Sequence, residues 1–122
     1  MENPIPPLVV SVSRPLDYYK WGNQCEAWKL ADNKDLSIKL EKMPPGTEEV
    51  LHYHNFSQQF FYVLKGRAVF EIDGVILIVH EKEGLHIEAN RRHRIMNKEE
   101  DTALEFLVCS QPSVGADRQN LV

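Results

Sequence analysis

Three histidines and one glutamine stand at positions in this sequence from which they could form a chemically active site. His52 and His54 are two residues apart, Gln59 follows them, and His93 stands in a later segment. Side chains two residues apart in a β-strand project from the same face, so the first two imidazoles point the same way. Buried imidazoles are costly unless they are hydrogen-bonded or bound to metal. Imidazole ligands with one weaker oxygen ligand suit divalent first-row metals, so the pattern predicts such a site, with Gln59 beside the histidines.

The elements that must position these side chains are short β-strands. Apolar, β-branched or alternating stretches predict strands at residues 8–12, 24–30, 36–42, 48–54, 59–64, 67–72, 75–80, 84–88, 93–97 and 103–109. Between two of these strands, Asp73-Gly74 favours a tight hairpin. No segment of ten or more residues shows helical periodicity. Many short strands at close spacing predict an all-β sandwich or closed barrel.

Alternation within the strands assigns their faces. If Gln59 points inward, Phe61 and Val63 share its face. Residues 36–42 alternate apolar and polar side chains, which is typical of a half-buried strand. Residues 75–79 are apolar throughout, so that strand is predicted to be covered on both sides. The large aromatic side chains predicted to line the core and the pocket are Trp28, Phe61, Phe70 and Phe106.

The remaining histidines and the arginines near the site have ordinary interpretations. His80 and His86 are predicted to be structural or surface residues. Arg91 and Arg92 flank His93 and are predicted to form a solvated turn, the alternative being guidance of an anionic substrate.

The strands that carry the four candidate side chains show no obvious inward-facing carboxylate. Glu48 and Glu88 are the nearest candidates for a proton shuttle, and strand parity favours Glu48. Hydroxide supplied by a metal site could act as the base instead.

Composition limits the class of protein. The 122 residues, with a net charge of -4, predict one domain, residues 1–122. Residues 1–7 form a proline-rich arm, and residues 110–122 form a polar strap, here called the C-terminal strap. No basic run indicates a nucleic-acid partner, and no apolar stretch is long enough to span a bilayer. Without a signal-peptide pattern, the sequence is expected to be cytoplasmic, with Cys25 and Cys109 as reduced thiols.

Two motifs resemble those of the cupin superfamily. The first, Gly46-x5-His52-x-His54-x4-Gln59-x6-Gly66, matches every spacing of the usual Gly-x5-His-x-His-x3-4-Glu-x6-Gly. The second, His93-x3-Asn97, resembles the end of Gly-x5-Pro-x-Gly-x2-His-x3-Asn. The resemblance covers residues 36–109. It implies a double-stranded β-helix, or jelly-roll barrel, that holds iron, manganese, nickel, copper or zinc.

The sequence departs from the cupin pattern at two places. Gln59 stands where the family usually carries glutamate, and an amide brings no charge to a metal. A metal in such a site would keep more positive charge than a metal held with the usual glutamate, and its Lewis acidity would be greater. In the second motif, Glu88-Ala89-Asn90 replaces Pro-x-Gly, and Asn90 can supply the left-handed residue of that turn.

The resemblance leaves several functions open. It implies either a metal-dependent enzyme on a small molecule, with dioxygenase-like or isomerase-like chemistry, or a non-catalytic barrel that binds a ligand or a metal. A metal-free barrel with only a structural role is the third hypothesis. The resemblance also implies a homodimer, for which the N-terminal strand and residues 75–79 could supply the interface.

Overall fold

The computed structural model describes residues 6–121, so the predicted arm lies largely outside the described residues. Within this range the chain folds as strands joined by turns, with no helix. The strands are β1 (Asp17–Trp21), β2 (Cys25–Asp32), β3 (Ser37–Met43), β4 (His52–Tyr53), β5 (Gln58–Lys65), β6 (Ala68–Ile72), β7 (Val75–Val79), β8 (Gly84–Ile87), β9 (His93–Met96), β10 (Leu104–Gln111) and β11 (Gln119–Asn120).

The strands form two antiparallel sheets that pack face to face. One sheet has the order β1-β2-β3-β10-β5-β8 and the other has the order β11-β4-β9-β6-β7. Phe61 of the first sheet and Phe70 of the second meet across the interior, with ring centroids 5.1 Å apart. This arrangement is the predicted double-stranded β-helix.

The hydrophobic core fills one part of the barrel. Its buried members come from both sheets and include Met43, Phe61, Val63, Phe70, Ile95, Leu104 and Phe106. Three of the four aromatic side chains assigned to the core are therefore placed as predicted. Trp28 is not, because the inward positions of β2 belong to Cys25 and Ala27. Trp28 lies on the outer face, where its ring centroid is 5.4 Å from that of Tyr18.

Three predicted elements differ from the structure. Residues 8–12 form no strand, and Leu8 and Val9 are exposed, because strand-forming composition creates no ladder without a partner strand. The first strand is β1 instead, which pairs with β2. The predicted strand 48–54 contracts to β4, preceded by one isolated bridge between Glu48 and Met96. The C-terminal strap adds β11, which pairs with β4.

The prediction that residues 75–79 are covered on both sides is wrong. β7 is an edge strand, and only Val79 at its end is buried. The hairpin before it forms as expected, with positive φ at Asp73 and Gly74 (49° and 83°). Asn90 also adopts the left-handed conformation, with φ of 69°. Within residues 6–121, no helix is long and apolar enough to cross a membrane.

Candidate metal centre

The second sheet brings the three motif histidines together. His52 lies on β4 directly opposite His93 of β9, and His54 follows β4 by one residue. All three side chains are buried, with exposed fractions of 2% or less. Their ring centroids are 4.4 to 5.4 Å apart, and one nitrogen of each ring lies within 4.8 Å of the others.

Backbone carbonyls fix the orientation of every ring. Nδ1 of His52 donates to the Val50 carbonyl at 2.7 Å, and Nδ1 of His93 donates to the Arg91 carbonyl at 2.9 Å. Nδ1 of His54 bonds in the same way to a carbonyl of the C-terminal strap. With the proton on Nδ1, each Nε2 keeps a free lone pair. This is the arrangement in which protein histidines bind metals.

The unbonded nitrogens fit a cation. Nε2 of His54 is buried and has no hydrogen-bond partner among the described residues. Burial is the main cause that lowers the pKa of both His52 and His93 to about 4. Both imidazoles are therefore neutral at pH 7, as a metal ligand must be.

Gln59 lies beside the histidines on the facing sheet. Its Nε2 donates to the Ser110 hydroxyl at 3.0 Å, and this bond directs Oε1 toward His93, 3.1 Å from that residue's Nε2. Because the His93 proton is on Nδ1, the facing atoms are two acceptors. Two lone pairs at this distance repel unless a cation attracts both. The residues present therefore fit a divalent metal held by three imidazole nitrogens and one amide oxygen.

A cavity of about 850 Å³ adjoins the histidines. His52, His54 and Gln59 line one part of it, and the C-terminal strap borders it through residues 113–115 and Arg118. The opposite wall belongs to β1, β2 and β3, whose polar side chains in the cavity are Tyr19, Lys29, Asp32, Ser37, Lys39 and Glu41. A volume of this size accommodates a small organic molecule.

The model of the cupin domain matches residues 39–110, which is more than half of the chain. This chain belongs to the cupin family. The match begins on β3 and ends on β10, so it contains all three histidines and Gln59.

Two curated relatives of this cupin are named as polyketide synthase proteins of Streptomyces species. Over 64 residues it is 36% identical to "Polyketide synthase CurC" of Streptomyces cyaneus, covering 52% of this chain and 42% of the relative. Over 57 residues it is 32% identical to "Tetracenomycin polyketide synthase protein TcmJ" of Streptomyces glaucescens, covering 47% and 38%. The matched segments span less than half the length of both relatives.

Solved cupin structures share the fold. A predicted oxalate decarboxylase from Thermotoga maritima superposes with a TM-score of 0.77 at 25% identity, covering 87% of this chain and 100% of that one. An RmlC-like cupin from Shewanella frigidimarina gives a TM-score of 0.75 at 19% identity, covering 85% and 90%.

The charged wall of this cupin's cavity is the part that the sequence analysis missed. Alternation in β3 suggested that its polar side chains face solvent, but Ser37, Lys39 and Glu41 line the cavity. The apolar side chains Ile38 and Leu40 lie on the other face of β3. The sequence signal that could have indicated this is Met43, an apolar residue on the same face of β3 as Lys39 and Glu41, which is buried in the structure.

The carboxylates proposed as proton shuttles occupy different positions. Glu48 borders the cavity, but its side chain is half exposed and pairs with Arg94 at 3.7 Å. Glu88 is exposed and does not line the cavity. Glu49 is more deeply placed, accepting from the Ile95 backbone N–H at 3.2 Å.

The remaining predictions for this region concern ordinary side chains. His80 and His86 are exposed, as expected. Arg91 pairs with Asp73 in the turn before β9, which supports the structural interpretation of that arginine. Cys25 and Cys109 are free thiols, one buried and one half-buried.

Proposed function

We propose that this cupin is a metal-dependent enzyme that acts on a small molecule by moving protons next to a carbonyl group, as an isomerase or a cyclase does. The observation that carries the proposal is the convergence of three buried imidazoles and one amide oxygen beside a cavity with ionisable walls. A divalent cation held by four neutral ligands would keep its full charge and would polarise a carbonyl oxygen.

The substrate class that we propose is carbonyl compounds related to polyketides, and the names of two relatives support it. The two Streptomyces relatives are named as polyketide synthase proteins, and polyketide chains are rich in carbonyl groups. A 1,3-dicarbonyl compound presents two oxygens and an acidic C–H group between them. It therefore suits a site with a Lewis acid on one side and proton-transferring groups on the other.

The cavity wall favours proton transfer over a dioxygenase-like oxidation. Glu41 and Lys39 are proton donors and acceptors inside the cavity, and an oxidation by a metal and dioxygen has no evident use for both. A non-catalytic ligand-binding barrel could have the same cavity but would not turn over a substrate. The assay below therefore distinguishes it from an enzyme.

The experiment compares zinc-loaded and metal-free protein with a panel of 1,3-dicarbonyl compounds in deuterium oxide. The proposal predicts that the loaded protein accelerates exchange of the carbon-bound hydrogen, that His93→Ala abolishes the acceleration, and that the exposed control His80→Ala retains it. Oxygen uptake by iron-loaded protein, without exchange by the zinc form, would support the dioxygenase alternative. Stoichiometric zinc without either activity would support the non-catalytic barrel.

The partner we propose, besides a small molecule, is a second copy of this chain. β7 ends the five-stranded sheet and exposes four consecutive apolar residues, Val75, Ile76, Leu77 and Ile78, at 39% to 58%. Apolar edge strands are normally covered or blocked by charge. Light scattering should give twice the monomer mass of 14.1 kDa, and Ile78→Lys should give the monomer mass. A monomeric wild-type protein at micromolar concentration would contradict the proposal.

A further inference from the structure

The cavity wall that faces the histidines carries a hydrogen-bonded lysine and tyrosine. Lys39 Nζ donates to the Tyr19 hydroxyl at 2.9 Å and lies 5.5 Å from the centre of the tyrosine ring. Lys29 Nζ approaches the same ring, at 5.8 Å from its centre. Two ammonium groups around one phenol make this part of the wall positive, and it offers donors to an anionic or carbonyl oxygen.

Glu41 stands next to this pair on β3. Its carboxyl makes no ion pair within 4 Å in the described part of the chain. Burial is the main cause that raises the pKa of Glu41 to about 7, and the charge of Glu49 raises it further, while Lys39 and Arg118 lower it. A carboxyl group with this pKa exists in both protonation states near pH 7, which suits a general acid–base group.

The surroundings of Glu41 give it no ordinary structural role. The buried Trp21 indole N–H approaches the Glu41 carboxyl and lowers its pKa as a hydrogen-bond donor, but its geometry falls short of a full hydrogen bond. Cys25, on β2, is a neutral thiol whose pKa is raised mainly by burial. A half-buried carboxyl without a close cation is costly to fold, and Glu41 directs it into the cavity.

We propose that Glu41 is the proton-transferring residue of the cavity and that its substrates are 1,3-dicarbonyl compounds. The carboxylate removes the proton from the carbon between the carbonyl groups. The C–H bond breaks, an O–H bond forms on Glu41, and the electron pair of the broken bond moves to a carbonyl oxygen. Return of the proton to carbon restores the carboxylate. The Lys39–Tyr19 pair donates hydrogen bonds to the second oxygen. The proposal rests on the proposed function, and it names the base.

The test uses the full chain loaded with zinc and ethyl 2-methylacetoacetate as the probe. Proton NMR in deuterium oxide measures the exchange rate of the single hydrogen between the carbonyl groups. Glu41→Gln is expected to lower the protein-catalysed rate about 100-fold or more with zinc content unchanged, and Glu41→Asp to recover part of it. The matched control is Glu105→Gln, because Glu105 lies on the outer face of β10 in the same sheet.

A second measurement does not depend on turnover. Carbon-13 NMR of metal-free protein labelled at glutamate carboxyls should show one group titrating near pH 7, and the signal should be missing in Glu41→Gln and present in Glu105→Gln. Absence of such a group in the wild-type protein would overturn the proposal. Unchanged exchange in folded, zinc-loaded Glu41→Gln would also overturn it and would leave the metal site standing. Failure of the wild-type protein to bind zinc would instead defeat the proposed function, and the assignment of Glu41 as its base with it.

Discussion

His54 donates a hydrogen bond from Nδ1 to the backbone carbonyl of Asp117, over a distance of 2.5 Å. The carboxylate of Asp117 accepts three further bonds, from the backbone N–H groups of Asn55, Phe56 and Ser57, at 2.7, 2.9 and 3.0 Å. One residue of the C-terminal strap therefore holds both the ring of a candidate ligand and the turn that follows it.

The first prediction concerns Asp117. Asp117→Ala removes the acceptor of three backbone N–H groups, so it should lower the free energy of unfolding by about 2 kcal/mol. It should also weaken zinc binding about 10-fold or more, because the lost side-chain bonds hold in place the segment whose backbone carbonyl orients His54, and groups that orient a ligand tune metal affinity. Urea unfolding and zinc titration check the two effects. Asp35→Ala, in the exposed β2–β3 turn, is the control and should change neither quantity. Unaltered zinc affinity in Asp117→Ala would contradict a role in positioning His54.

The second prediction concerns the amide in the candidate site. Gln59→Glu places a negative charge beside the histidines, so it should raise the affinity for zinc about 10-fold or more. It should also slow the proposed reaction, because the added charge reduces Lewis acidity. Gln58→Glu is the control, since Gln58 is exposed on the outer side of the same strand. Equal zinc affinities of Gln59→Glu and wild type would show that residue 59 does not ligate the metal.

The third prediction concerns pH. The pKa values of His52 and His93 in the folded protein are about 4, below the ordinary value of 6.5. As pH falls, these histidines are therefore protonated in the unfolded chain before they are protonated in the folded protein. The free energy of unfolding of the metal-free protein should reach its full value above pH 6.5 and should decline between pH 6.5 and 4. The expected loss over the whole range is on the order of 3 kcal/mol for each of the two histidines. Urea unfolding between pH 7.5 and 5 measures the onset, and His52→Gln should flatten it. A constant free energy of unfolding over that range would contradict the prediction.

The fourth prediction concerns Glu41 and has the opposite sign. Its pKa rises from 4.5 to about 7 on folding, so the folded state resists ionisation. The contribution of this group to stability is present below pH 4.5 and is lost as pH rises through 7. Glu41→Gln should therefore match the wild type at pH 5 and exceed its stability at pH 8 by about 2 kcal/mol. An equal or lower stability of the variant at pH 8 would contradict the prediction.

The sequence predicts the histidine cluster well because two-residue spacing determines which face of a strand a side chain occupies. His52 and His54 share a face by this rule alone, and the motif spacing extends the set to Gln59 and His93. The fold class follows from the same alternation, together with turn residues such as Asp73 and Gly74.

The contact between the C-terminal strap and His54, and the charged wall of the cavity, could not be predicted in this way. Alternation separates two faces of a strand without saying which one meets water, so a polar cavity wall such as that of β3 resembles a solvent-facing surface. The bond between His54 and Asp117 joins residues 63 positions apart, and no local pattern encodes it. Residues 8–12 have strand-forming composition but find no partner, which is a property of the whole fold.

A calorimetric titration of metal-free protein with zinc tests the proposed metal centre most directly. The titration is repeated for His52→Ala, His54→Ala and His93→Ala. We expect one zinc ion per chain for the wild type and loss of that binding in each variant, while the exposed control His86→Ala binds as the wild type does. Absence of zinc binding by the wild type, or unchanged binding in the three variants, would contradict a metal centre built on these histidines.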